Sequence, residues 1–306
     1  MKTRINKTIC NIQYFRCGLI MCIILLLTFA GCSSLPKGME TRSLSFAALK
    51  MKYARDAQKA HDYTKALLLY TEAYQLYTGV DDIRGKIESG LSIARQFHYL
   101  DKPEETQKWI SKTDEMIRNN MPELKTLKDI LLIEIAFGKE DFNTVISIAG
   151  NTTTSNPEHK AEILCYHIAS LANLKQDYKL PFSLLLNLLP SLEKKFKKNN
   201  MDDPEILSLS YYYLGYITSH IEKNWRKGIE FFEKARHIDR LLDNSYGIGK
   251  DLFALGRCME ELGMKQEAIG NYNRAAEVFL LLNDLEMEKK AKSRAIQIAS
   301  GGQKPF

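Results

Sequence analysis

The sequence predicts an all-α chain built as a solenoid of about six helical hairpins and closed by a capping helix. Three observations predict it. Only 8 prolines and 17 glycines punctuate the 306 residues, too few for a many-stranded β fold with a turn at about every ten residues. A grammar of small and aromatic residues recurs at a near-regular step along most of the chain, the mark of a repeat architecture. The stretch 285–299 sets its apolar residues on one helical face and its charges on the other, as a terminal repeat must. Hydrophobic residues make up 45% and charged residues 26%, enough apolar material for a sizeable core.

Taken in order, the first element is a leader. Residues 1–16 are polar and carry Lys2, Arg4, Lys7 and Arg16 with no acid, and residues 17–30 carry no charge at all. That apolar run is shorter than the roughly 20 residues a spanning helix needs. A basic flank, a short apolar core and then small residues describe a secretory signal. The run ends Phe29-Ala30-Gly31-Cys32, which resembles the bacterial lipobox, with Phe29 where that motif more often has Leu. The resemblance implies cleavage after Gly31 and acylation of Cys32, leaving 1–31 as a lipoprotein signal peptide. Several acyl chains, at about 0.8 kcal/mol per buried CH₂, anchor stably where one does not. Ser33 lacks the acidic character that the sorting rule of many Gram-negative species uses for inner-membrane retention, so the expected location is the outer membrane, facing the periplasm. The competing reading is an uncleaved anchor helix; either way the body is tethered from outside the cytoplasm. Residues 32–43 read as a lipidated polar tether, of which ten extended residues reach roughly 30 Å.

The leader also explains the charge. The chain is formally +6, but without the four leader cations 39 basic residues face 37 acidic ones. A nucleic-acid binder normally carries its basic surplus on the working domain, so no nucleic-acid partner is expected. Cys10, Cys17 and Cys22 also belong to the leader. Cys165 and Cys258, the two thiols of the body, read as buried core residues rather than as a disulfide framework.

The repeats occupy 44–299. The N-terminal copy runs from Ala57 through Asp62-Tyr63 to Ala66, Tyr70 and Ala73. Weaker copies follow at Ala94, Phe97, Thr106, Ile110 and Thr113, then at Ala136, Asp141-Phe142, Val145 and Ala149. The fourth copy reads Ala169, Ala172, Asp177-Tyr178, Pro181, Leu185; a proline at 181 is tolerated only in a helix's first turn. The fifth reads Leu214-Gly215, Asn224-Trp225, Gly228, Phe232, Ala235, with one extra residue in its first helix. The sixth reads Leu255-Gly256, Gly263, Ala268, Tyr272, Ala275. The residues opening the second helices fall at 66, 106, 145, 181, 228 and 268, and the long step from 181 to 228 contains the polar linker 197–204. Small residues at 256, 268 and 275 let helix axes approach while Tyr272 fills the groove between them. Residues 285–299 form the cap, and 300–306 are expected to be disordered.

This grammar resembles the tetratricopeptide repeat, though its steps of 36 to 47 residues exceed the family's usual 34 or so. The resemblance covers roughly 45–280 and implies a right-handed superhelix whose first helices line a concave groove. Mapped residue by residue, the groove would display Arg55, Arg95, Tyr166, Tyr212, Tyr216, Phe253 and Arg257. Tyr and Arg are enriched at binding hot spots, and the cluster Tyr211, Tyr212, Tyr213 and Tyr216 marks either a recognition patch or packing between repeats.

Catalytic patterns are not found. The sequence has no phosphate loop, no HExxH and no Gly-x-Ser-x-Gly, and its six histidines are scattered over different repeats. Cys165 and His167 point away from each other if helical, and Asp202-Asp203-Pro204 reads as a turn and helix start. No cofactor, no metal and no enzymatic activity are expected. The reading is a membrane-anchored interaction scaffold that holds a peptide or partner helix of another envelope protein. The alternative is a periplasmic sensor of a peptide or cell-wall fragment.

Overall fold

Turn chemistry sets the architecture. The computed structural model describes residues 42–301, so the leader, Cys32, most of the tether and residues 302–306 lie outside it. Among the described residues there are thirteen α-helices and no strand. They pair as α1 (Arg42–Lys59) with α2 (Tyr63–Gly79), α3 (Ile83–Tyr99) with α4 (Pro103–Asn120), and α5 (Lys125–Gly138) with α6 (Phe142–Asn151). Then come α7 (Pro157–Asn173) with α8 (Lys179–Lys197), α9 (Glu205–Tyr216) with α10 (Trp225–Leu241), and α11 (Ser245–Glu261) with α12 (Lys265–Leu281). The cap is α13 (Leu285–Ala299). The expected right-handed solenoid of six tetratricopeptide-like hairpins plus a capping helix is the fold. α1 starts at Arg42, two residues inside the stretch read as tether.

Ten of the twelve turns between helices contain a residue with positive φ, and in eight of them the next residue is the N-cap of the following helix. His61 (φ 58°) precedes Asp62, whose carboxylate accepts from the Lys65 amide at 3.0 Å. The Asp62 amide returns to the Ala57 carbonyl at 2.9 Å, which satisfies the ends of both helices at once. Asp81-Asp82, Glu140-Asp141, Lys223-Asn224, Asp243-Asn244 and Asn283-Asp284 repeat it. Of the ten positive-φ residues in the turns between helices only Gly263 is a glycine.

Close packing follows the small residues. A Cβ on Gly256 would sit 3.0 Å from the Tyr272 ring and one on Gly215 would sit 2.9 Å from Phe232. Both rings are fully buried. The extra residue of the fifth repeat has a structural form. From Gly215 to Gly228 is thirteen residues against twelve from Gly256 to Ala268, and Ile217–Ile221 winds as a π-helical turn that absorbs the surplus. The Asn224 amide therefore reaches back six residues, to the Thr218 carbonyl, rather than five. Pro181 sits in the first turn of α8 as expected, but the sequence reading overlooked Pro190, through which α8 continues with its ring on the exposed side. The cap α13 buries Ala291 and Ala295 and ties Arg294 Nε to Glu260 of α11 at 2.9 Å.

Candidate functional site: an enclosed acidic chamber

In an open solenoid each repeat touches only its neighbours. Here the first hairpin also reaches the fifth and sixth. Lys59 Nζ at the end of α1 lies 2.6 Å from Glu205 Oε1 at the start of α9. The His61 ring in the α1–α2 turn lies 4.2 Å from the Tyr246 ring of α11, centroid to centroid. These contacts bridge the concave face beside a chamber of about 480 Å³ that is open to solvent and shares lining residues with a second volume of about 750 Å³. Arg95, Glu162 and Asp203 line both.

The polar linker builds one wall. Glu158 of α7 is only 2% exposed and accepts from the backbone amides of Asp202 (2.9 Å) and Asp203 (3.1 Å) and from Lys195 Nζ (2.5 Å). Burial alone would lift its carboxyl, but these donors outweigh it and hold the group below the usual range. The linker is thereby fixed over the chamber. Asp203 is exposed by accessible area yet enclosed by protein, because the surface it exposes faces the chamber. It also turns its Oδ1 to the Glu205 amide at 3.0 Å, the helix start expected there.

Six carboxylates and three basic side chains line the first volume. Two of the bases are already paired: Lys59 with Glu205, and Arg95 Nε with Glu134 Oε2 at 2.7 Å. The Tyr99 hydroxyl also donates to Glu134. Glu162 makes no hydrogen bond or ion pair with another described residue. Burial pushes its carboxyl up to about 8, Asp203 repels in the same direction, and Arg95 pulls against both. The third base, Lys250, lies 4.4 Å from the Tyr212 ring centroid and 5.6 Å from that of Tyr246. Burial pushes its ammonium down against the pull of Asp251 and Asp239.

Asp239 and Asp251 form the inner wall. Asp239 Oδ1 accepts from Ser208 Oγ at 2.5 Å and Asn244 Nδ2 at 3.0 Å. Asp251 is 1% exposed, and no donor of a described residue reaches either of its oxygens. Its hydrogen-bonding neighbour is the Asp239 carboxyl, and two carboxyls bond only with a proton between them. Burial first, then Asp239, pushes Asp251 well above the carboxylate range.

The residues expected in the groove divide. Arg55, Arg95, Tyr166 and Tyr212 line the two volumes. Tyr216, Phe253 and Arg257 do not. Tyr216 stacks on His220 (5.0 Å, 21°), Phe253 packs edge-on to Tyr272, and Arg257 is exposed. Within the tyrosine cluster, Tyr211 and Tyr213 are core residues, and Tyr212 alone lines the chamber. Cys165 and Cys258 are buried free thiols, and burial pushes both up. His167 is half-buried. Among the described residues no group of three or more His, Cys, Asp or Glu is placed to hold a metal ion, and no helix is long and apolar enough to cross a membrane.

Sequence reasoning missed Glu134, Glu162, Asp239, Lys250 and Asp251. A signal existed for two of them. Asp251 falls four residues before Leu255 and seven before Cys258, and Glu162 falls beside Ala161 and Cys165, so each puts a charge on a stripe that is otherwise apolar.

No family model matches the chain, and no curated protein matches it. Among solved structures it is similar to a Rap protein complexed with competence and sporulation factor. The two share 17% identity over 83% of this chain and 76% of that one, with a TM-score of 0.52, a likeness of fold.

Proposed function

We propose that this chain is a non-enzymatic interaction scaffold of the bacterial envelope that holds an extended peptide segment of another protein in the chamber. Anchorage through lipid on Cys32, at the outer membrane and facing the periplasm, is part of the proposal. The single observation that carries it is the closure of the first hairpin onto the fifth and sixth. An α-helix with its side chains is about 10–12 Å across, and it suits an open groove. Volumes of about 480 and 750 Å³ fall within the roughly 300–1,000 Å³ of small-ligand sites, so a few extended residues fit better than a partner helix. The leader, the repeat fold and the tyrosine-lined wall support the same reading, and the solved Rap complex is a precedent for a bound factor on a similar fold.

The closure also favours the second reading, a sensor of a peptide or cell-wall fragment. A ligand that parts the contact between His61 and Tyr246 would shift the balance between open and closed rings.

Photo-crosslinking in living cells tests the proposal, with probes at Tyr166 and Tyr212 in the chamber and at Glu230 and Asn271 outside it. A discrete protein adduct from the chamber positions alone is expected. Adducts only from the outer positions would remove the chamber as the working surface. A chamber adduct with a small fragment and no protein would move the sensor reading ahead.

A further inference from the structure

We infer that the inner wall of the chamber, at Asp251 with Asp239 and Tyr212, recognises an organic cation: a primary ammonium or guanidinium group. The group is carried either by a basic side chain of the bound segment or by a free amine. The inference rests on the peptide reading for the first source only.

Charge balance points this way. With Lys59 and Arg95 each paired to a carboxylate, one unpaired base, Lys250, remains among the chamber's charges, and Glu162, Asp203, Asp239 and Asp251 have no cationic partner within ion-pair distance. The decisive group is Asp251. Buried polar groups are bonded as a rule, and one left without a donor costs stability and calls for an explanation. A single proton shared with Asp239 serves one of its oxygens at most. An ammonium brings three donors and can replace that proton while serving both carboxyls.

The Asp239 carboxylate is held in place by close packing. A Cβ at Gly247, which also lines the chamber, would lie 2.1 Å from Asp239 Oδ2. The absent side chain lets that carboxylate pack directly on the Gly247 backbone, while Ser208 and Asn244 donate to its other oxygen. The aromatic part of the wall already accepts this chemistry, since the Lys250 ammonium rests on Tyr212 and Tyr246.

The test is calorimetric titration of the full-length chain in detergent with three probes. These are the capped tripeptide acetyl-Ala-Lys-Ala-amide, the same peptide with norleucine for lysine, and 1,5-diaminopentane. The lysine peptide is expected to bind about tenfold or more tightly than the norleucine peptide, and Asp251→Asn to remove that advantage. Lys250→Met, which deletes the competing ammonium, should tighten cation binding several-fold, a gain that misfolding does not mimic. Binding of the lysine peptide without the diamine identifies a basic segment as the source. Binding of the diamine without the peptide keeps the cation site and removes the peptide reading. Equal binding of lysine and norleucine peptides overturns the inference and leaves the peptide reading standing. No binding by any probe, or an Asp251→Asn protein that retains the preference for lysine, overturns it as well.

Discussion

His61 and Tyr246 are 185 positions apart in the chain, yet their rings lie 4.2 Å apart at 48°. In a one-dimensional repeat array, residues of the first and sixth hairpins have no energetic coupling. A ring contact contributes about 0.5–1.5 kcal/mol beyond area burial. A double-mutant cycle of His61→Ala and Tyr246→Ala, read by urea unfolding, should therefore return a coupling of about that size. A coupling of zero would mean that the ring is open in solution and that the chamber is a groove.

The positive-φ turns offer a cleaner stability test. Glu140 is exposed, has φ 57° and makes no side-chain hydrogen bond or ion pair with another described residue. The left-handed conformation costs a residue with a Cβ about 1–2 kcal/mol, while glycine loses roughly 0.5–1 kcal/mol more backbone entropy on folding. Glu140→Gly should stabilise the protein by about 0.5–1 kcal/mol in denaturant midpoint, and Glu140→Val should destabilise it. Destabilisation by glycine would contradict the turn geometry.

The fold was legible because packing between helices demands small residues at fixed offsets, and those survive as letters. Gly256, Ala268 and Tyr272 announce the sixth hairpin, and the surplus residue before Gly228 announces the π-helical turn. The chamber was only partly legible. Arg95, Tyr166 and Tyr212 could be placed on the inner face from their register in the first helices. Whether a superhelix closes on itself depends on small rotations summed over five hairpins, which no local pattern records. The contacts of Lys59 with Glu205 and His61 with Tyr246, and therefore the enclosure that perturbs Glu162 and Asp251, had no sequence signature.

The π-helical turn predicts a coupled pair. It presses Ser219 onto Gly228, where an added Cβ would lie 2.5 Å from Ser219 Cβ. Gly228→Ala should cost about 1–3 kcal/mol by overpacking. Ser219→Gly in the same chain should recover a large part of that loss, because it removes the atom in the way. If the double variant is as unstable as the sum of the two singles, the helices do not approach as closely as described.

The contribution of Glu162 to stability should fall as pH rises from about 4.5 to about 8. Glu162 has its folded-state carboxyl lifted to about 8 by burial, then by Asp203, while an unfolded glutamate titrates near 4.3. Between those values the folded chain holds a proton that the unfolded chain has released, so raising the pH favours unfolding. The contribution is fully present below the unfolded value and is lost as pH passes the folded one. Glu158, held down by Lys195 and two amides, acts in the opposite sense, and its stabilisation is lost as pH falls through its folded value. Glu162→Gln should flatten the melting temperature between pH 5 and pH 8 and leave the acid limb intact. An unchanged slope would show that Glu162 ionises freely in the folded chain.

The anchoring proposal stands on the leader and has its own test. Residues 17–30 are too few to span a bilayer comfortably, so attachment should depend on acyl chains at Cys32, each buried CH₂ contributing about 0.8 kcal/mol. Cys32→Ser removes the acceptor without altering the apolar run. A cleaved lipoprotein and an uncleaved anchor helix then behave differently. The first should leave the membrane fraction for the soluble periplasm or accumulate as an unprocessed precursor, with no incorporation of labelled palmitate. The second should stay attached at unchanged mass, since its hold never depended on a thiol. Palmitate labelling and mass measurement of the wild-type and Cys32→Ser chains separate the two. If the body also runs free in the wild type, the solenoid is a soluble periplasmic protein, and the envelope proposal survives only without its anchor.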